Sequence, residues 1–203
     1  MHTVPHHLYL VRHGEQLDAE HGMGDGPLSP RGRRQAELLG ERLGGIPFDN
    51  AWHSPLQRAT ETAEIIAAKM PSLSPEPSAL LFDCVPSGPA PATPKAYDAF
   101  FGSVTEAEIE AGTAQMEDAA AEFLRSHRDD RHDLLITHNF VIGWFVREVL
   151  GAPDWRWLSI NQANCGLTVL TQKSGRPWNL VVHNDLGHLP FELRTGLPEP
   201  YAV

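Results

Sequence analysis

The chain has 203 residues and carries 16 Lys and Arg against 26 Asp and Glu, a formal net charge of −10. With 41% hydrophobic and 21% charged residues, its composition is that of a folded globule and excludes general disorder, collagen and coiled coil. The acidic balance argues against a nucleic-acid partner, because binding that polyanion needs a basic face. It leaves small anions open, since these respond to the local field of a cleft. No stretch approaches the roughly 18 apolar residues of a membrane span, so no membrane partner is expected. Nor do residues 1–7 show a basic segment followed by a long apolar run. The two cysteines, Cys84 and Cys165, are too few for a disulfide framework. They point to inert thiols and a cytoplasmic location.

Leu8-Tyr9-Leu10-Val11 is long enough for a buried strand and too short for a helix. His2, His6 and His7 before it read as decoration of a frayed terminus. A loop with Gly14, Gly22, Gly24 and Gly26 follows, and Ser29-Pro30 reads as an N-cap and first helical residue. The helix carries Ala36, Leu39 and Leu43 on one face, stops at Gly44-Gly45, and exposes Arg31, Arg33 and Arg34 to solvent.

Ala51-Trp52-His53 is a candidate second strand. Ser54-Pro55-Leu56-Gln57 reads as a capping box, with Ser54 the N-cap of a helix that places Ala59, Ala63, Ile66 and Met70 at helical spacing. Residues 71–94 hold seven of the seventeen prolines, which rules out regular helix. Ala79–Phe82 inside this stretch could form a third strand. A cap insertion at about residues 71–104 is preferred to a domain linker. Tyr97, Phe100 and Phe101 would either line its entrance or pack as ordinary core.

Thr105-Glu106-Ala107-Glu108 is another capping box, opening a helix to about Arg128 with Ile109, Met116, Ala120, Phe123 and Leu124 turned inward. Asp133–Thr137 is a buried-strand pattern, and Asn139 can cap the helix after it, which ends at Gly151 and Pro153. Gly166–Thr171 and Trp178–His183 read as two more strands, joined by the turn Lys173-Ser174-Gly175-Arg176. Strands alternating with helices predict one α/β domain over residues 1–203, a three-layer sandwich whose mostly parallel sheet is covered on both faces.

In such sheets ligands bind beyond the carboxyl ends of the strands. Arg12, His13, Gly14 and Glu15 leave the first strand, Arg58 lies in the first turn after the second, and His138 leaves the fourth. Two histidines and two arginines can thus meet in one crevice, where Gly14 would let backbone approach a ligand. A helix start beyond His138 and arginine forks both suit phosphate.

These residues resemble the histidine phosphatase superfamily, also called phosphoglycerate-mutase-like. Leu10-Val11-Arg12-His13-Gly14-Glu15 looks like its signature, and Pro27–Ala36 is similar to its PLT-x-x-G-x-x-QA segment. Ser54–Ala63 looks like its S-x-x-x-RA-x-x-TA segment, and Ile136-Thr137-His138-Asn139 like its second-histidine strand, with Asn139 where Gly is common. Asn164–Val169 resembles its late strand. The motifs run in the family's order from about residue 7 to 190.

The resemblance implies that His13 is a nucleophile forming a phosphohistidine, with Arg12, Arg58 and His138 binding the phosphate and no metal or cofactor. A neutral imidazole near its free pKa of about 6.5 fits that role. Leu81–Pro86 looks like the family's L-x-EG-x-P form, which puts Asp83 in the position of the general acid. Glu15 and Asp98 compete for that role by position. Glu15, Gln16 and Asn139 are candidate cap or pocket contacts. His183 and His188 read as surface or pocket edge rather than metal ligands.

The expected activity is metal-independent hydrolysis of phosphomonoesters, on a phosphorylated small molecule or a phosphoprotein carrying phosphohistidine or phosphoserine. Phosphoglycerate mutase-type transfer is an alternative, but residues 71–104 offer one base, Lys95, for holding a bisphosphate. A non-catalytic phosphate-binding scaffold would be expected to lose Arg12, His13, Arg58 or His138, and all four are present.

Overall fold

The computed structural model describes residues 5–18, 24–127, 129–173 and 175–198. His2, Gly22, Arg128 and Ser174 lie outside these described residues.

Six strands form one mixed sheet: β1 (Pro5–Arg12), β2 (Asn50–His53), β3 (Glu76–Pro77), β4 (Arg131–Thr137), β5 (Leu167–Lys173) and β6 (Asn179–Asp185), in the order β3-β2-β4-β1-β5-β6. Strand β1 pairs in parallel with β4, and β2 in parallel with both β4 and β3. Strand β5 runs antiparallel to β1 and to β6, so it alone is reversed.

Alternation along the strands divides the core. Tyr9, Val11, Leu134 and Ile136 face helices α1 (Pro30–Leu43) and α2 (Gln57–Ala67), packing on Leu39, Leu43, Ala63 and Ile66. Leu8, Leu10 and Leu135 face the opposite layer. There they meet Met116 and Phe123 of α4 (Glu106–Phe123) and Ile142 and Phe145 of α5 (Asn139–Leu150). The short α3 (Asp98–Phe101) precedes α4. Helix α1 starts as its sequence predicts, with Ser29 Oγ accepting from the Gly32 N–H at 2.9 Å and Pro30 in the first turn. The Thr105–Glu108 capping box also forms, and Gly151 closes α5 with φ of 58°. Arg31, Arg33 and Arg34 make half-exposed ion pairs with Glu15, Glu61 and Glu37.

Four local expectations are corrected. Residues 79–81 form a 3-10 turn, and the third strand is the two-residue Glu76–Pro77. Proline supplies no ladder donor, which keeps this edge short. Ser54 is not the cap of α2: the N-cap position is Leu56, without a side-chain bond. The α2 terminus is instead capped by Asp25, whose carboxylate accepts from the Gln57 N–H at 2.8 Å. Asn139 does not cap α5, because His138 holds the N-cap position. Finally, His6 and His7 belong to β1 and are not a frayed end. His6 is 2% exposed, and its Nε2 lies 3.0 Å from the Asp133 carboxylate.

Residues 82–104 pass over the sheet end without a strand. Trp157 Nε1 donates to Ser87 Oγ at 2.8 Å, and Phe100, Phe140 and Trp157 pack edge to face. Phe100 and Phe101 are therefore core-like packing. Tyr97 sits beside Trp155, with ring centroids 5.9 Å apart.

Candidate active site at the carboxyl ends of the strands

The segment after β1 is fixed from three directions. The His13 N–H donates to Thr137 O at 3.0 Å, extending the β1–β4 pairing by one residue. Asn164 Nδ2 donates to His13 O at 3.0 Å. The Gly14 N–H donates to Thr62 Oγ1 at 3.0 Å, and Thr62 donates onward to Arg58 O at 2.7 Å. Gly14 is required by the protein itself: a Cβ there would lie 2.6 Å from Gly32 O. A Cβ on Gly32 would lie 2.1 Å from Glu15 O, so the two glycines let the loop rest on the start of α1.

His13 Nδ1 lies 2.7 Å from Gly14 O. A carbonyl only accepts, so Nδ1 carries the proton and Nε2 keeps its lone pair. Arg58 Nε donates to that Nε2 at 3.2 Å. Arg58 Nη2 donates to the Asp83 carboxylate at 3.2 Å and lies 3.3 Å from His138 Nδ1. His138 Nδ1 is therefore the acceptor, and its Nε2–H donates to Ser54 Oγ at 2.8 Å. The two rings are 5.1 Å apart. His13, Arg58, Asp83 and His138 form one contact group, assembled from four connections of the sheet.

Arg12 reaches this group by charge. Its Nη1 donates to Gln162 O at 2.7 Å and Gly196 O at 2.6 Å. Gly196 has φ of 85°, and a Cβ there would lie 2.9 Å from Arg12 Nη1, so only glycine suits this close approach. Burial pushes the Arg12 guanidinium down to about 10, against the pull of Asp83. Arg12 Nε and Arg58 Nη1 are buried and have no hydrogen-bond partner among the described residues. Such N–H groups are costly to bury unsatisfied.

Burial holds the His13 imidazole well below its ordinary value, aided by Arg12 and Arg58. Burial does the same for His138, aided by its neighbours His13, Arg58 and Arg12. Both rings are neutral at pH 7. Burial raises the Asp83 carboxyl, and Arg58 and Arg12 offset that only in part. Asp83 is positioned through its neighbours in sequence. Thr137 Oγ1 donates to Leu81 O at 2.8 Å, and Gln115 Nε2 to Phe82 O at 2.9 Å. Burial also pushes the Cys84 thiol up to about 12, so it stays protonated.

Three predicted contacts lie outside the group. Glu15 accepts from Ser29 Oγ at 2.7 Å and from Arg31 at 3.3 Å, and so serves the start of α1. Gln16 Nε2 donates to Gly24 O at 3.0 Å, shaping its own loop. Asn139 joins the 161–162 segment, its Oδ1 accepting from the Gln162 N–H at 2.7 Å. Asp98 is exposed on α3. His188 Nε2 donates to Cys165 O at 3.0 Å, and His183 Nδ1 lies 3.2 Å from Thr168 Oγ1.

Sequence reasoning passed over Thr62, Gln35, Ser54, Asn164 and Gly196 as supports. Gln35 accepts from the Glu15 N–H at 2.8 Å and donates to Leu193 O at 2.6 Å. Gln35, Ser54, Thr62 and Asn164 stand inside the quoted motifs, which was the available signal. Gly196 stands 184 residues from the side chain it receives and had none.

The sequence profile of the histidine phosphatase superfamily (branch 1) matches residues 8–82 and 90–186. Among curated relatives, the chain is 35% identical over 196 residues to "Serine/threonine-protein phosphatase Pgam5, mitochondrial" of Caenorhabditis elegans, covering 93% of this chain and 66% of that protein. It is 30% identical over 189 residues to the protein of that name in Xenopus laevis, covering 92% and 67%. The chain thus spans about two thirds of the length of these relatives. Bacillus stearothermophilus YhfR shares the fold, with a TM-score of 0.74 and 23% identity over 90% of this chain and 98% of that one. The relatives' names overturn the cytoplasmic expectation, since both are called mitochondrial. Two unpaired thiols fit any reducing compartment and could not have chosen between them. By the extent of the profile match, the chain belongs to the histidine phosphatase superfamily, branch 1.

Proposed function

We propose that this chain is a phosphomonoesterase working through a phosphohistidine on His13. The observation that carries this reading is the contact between Arg58 Nε and the unprotonated Nε2 of His13 at 3.2 Å. The nucleophilic lone pair and the phosphate-binding fork meet in one place. Arg12 Nε and Arg58 Nη1 are buried without a hydrogen bond among the described residues, Arg58 Nη1 lying 3.6 Å from the Asp25 carboxylate, and they suit phosphoryl oxygens, which accept from guanidinium forks.

In the first step His13 Nε2 attacks phosphorus, the P–N bond forms and the P–O ester bond breaks. Asp83, whose carboxyl is raised above its ordinary value, gives its proton to the leaving oxygen. In the second step water attacks the phosphohistidine, the P–N bond breaks, and Asp83 takes the water's proton. Arg12, Arg58 and His138 hold the equatorial oxygens, which is most of what this transfer asks of a protein. The relatives named serine/threonine-protein phosphatases support a phosphoprotein substrate, with residues 71–104 as a cap beside it. Lys95 as the one base of that cap supports hydrolysis over mutase-type retention of a bisphosphate.

The test is hydrolysis of an aryl phosphate by the wild type and by His13→Ala, each with and without EDTA. The reading expects turnover by the wild type under both conditions and loss of at least about 10³-fold in His13→Ala. Full activity in His13→Ala, or its disappearance with EDTA, overturns it.

A further inference from the structure

The amino end of the sheet carries a second group of chemistry-bearing side chains. His7 of β1 and His132 of β4 are register partners on neighbouring parallel strands, and their rings stack with centroids 4.6 Å apart. Asp130 stands just before β4, two residues before His132. One ring nitrogen from each histidine and a carboxylate oxygen of Asp130 all lie within 4.8 Å of one another.

From this cluster we propose that His7, His132 and Asp130 form a binding site for a divalent first-row transition ion of the zinc type. Two imidazoles and a carboxylate, with water in the fourth position, make a recurrent tetrahedral set. Zinc bonds of about 2.0–2.2 Å ask the three donor atoms to draw closer together than they stand. Nitrogen donors select zinc over magnesium or calcium, which prefer all-oxygen shells.

The surroundings hold the ligands in place. Tyr9 Oη lies 3.1 Å from His132 Nδ1. If the phenol oxygen accepts from Nδ1–H, Nε2 keeps its lone pair on the side of Asp130, 3.9 Å away. Partners of this kind orient metal-binding histidines. The His132 backbone is fixed at both ends, its N–H donating to the Asp49 carboxylate and its carbonyl accepting from the Asp49 N–H, each at 2.8 Å. His7 stands five residues before Arg12, about 17 Å along the strand, so the site is separate from the phosphate pocket and independent of the proposed activity. The ion would join β1 to β4 where the sheet begins.

The experiment is calorimetric titration of the chelator-treated protein with Zn²⁺, for the wild type, Asp130→Asn and His132→Gln. Circular dichroism checks that each is folded, and Asp130, exposed to solvent, gives a variant outside the packed core. The wild type is expected to bind one equivalent more than either variant, or to bind it at least about tenfold more tightly. Zinc should also raise its unfolding midpoint by about 5 °C at a 100-fold excess over Kd, and less in the variants. Aryl phosphatase turnover should be the same in all three at equal free zinc. Equal zinc stoichiometry and affinity in all three overturns the site, as does saturable binding of Mg²⁺ or Ca²⁺ in place of Zn²⁺.

Discussion

The two ends of the sheet each bring together a histidine, an aspartate and an arginine, with opposite results. At the amino end Asp133 receives hydrogen bonds from His6 at 3.0 Å, Asn50 at 2.9 Å and Arg131 at 2.6 Å. Burial alone would raise its carboxyl, but those three bonds outweigh it and hold the group below its ordinary value. At the carboxyl end Asp83 receives one bond, from Arg58, and burial leaves it raised. The same three residue types make a fully bonded carboxylate at one end, where only His6 Nδ1 lacks a hydrogen-bond partner among the described residues, and an under-satisfied carboxyl at the other. Donors without hydrogen bonds and a carboxyl raised above its ordinary value suit the proposed phosphoryl transfer.

Removing the saturated member should have the largest effect on stability. Asp133→Ala leaves Arg131 without its partner and should cost about 3 kcal/mol, read by urea denaturation at pH 7, with kcat of the folded protein unchanged. Because the folded carboxyl titrates below its unfolded value, this contribution is full above about pH 4 and is lost as pH falls through the folded value. The gap between Asp133→Ala and wild type should therefore narrow in acid. A loss of kcat without loss of stability would make the two ends alike.

Asp83→Asn should behave in the opposite way. It removes the proposed proton donor, so poor alkyl leaving groups should slow by about 10²-fold and aryl phosphates by far less. Stability near neutral pH should rise slightly, because a carboxyl raised in the folded protein opposes folding above its unfolded pKa, a penalty complete above the folded one. Equal slowing of both substrate types would remove Asp83 from the role. Ser54→Ala is the smallest change. It takes away the acceptor at 2.8 Å from His138 Nε2, and about 1 kcal/mol of lost orientation should appear as a roughly fivefold drop in kcat/KM. An unchanged kcat/KM would show that His138 needs no such support.

How far the sequence could be read follows from distance along the chain. Ser29–Gly32 and Thr105–Glu108 act within one turn and were legible. His13, Arg58 and His138 were legible because each leaves a strand or opens a helix, and the sheet order brings those ends together. Local reading failed where the partner was distant. The capping box at Ser54 lost to Asp25, 32 residues before the N–H it caps, and Ser54 serves His138, 84 residues away. The clustered terminal histidines read as frayed because β1 begins at Pro5, and only its pairing with β4 shows His6 and His7 to be structural.

The central claim is that the under-satisfied end makes a covalent intermediate on His13. Rapid acid-free quenching with a ³²P-labelled phosphomonoester, followed by peptide mapping, tests it directly. The account predicts an acid-labile, base-stable label on the peptide carrying His13, absent from His13→Ala. Turnover with no trapped label, or a label that persists in His13→Ala, would contradict it.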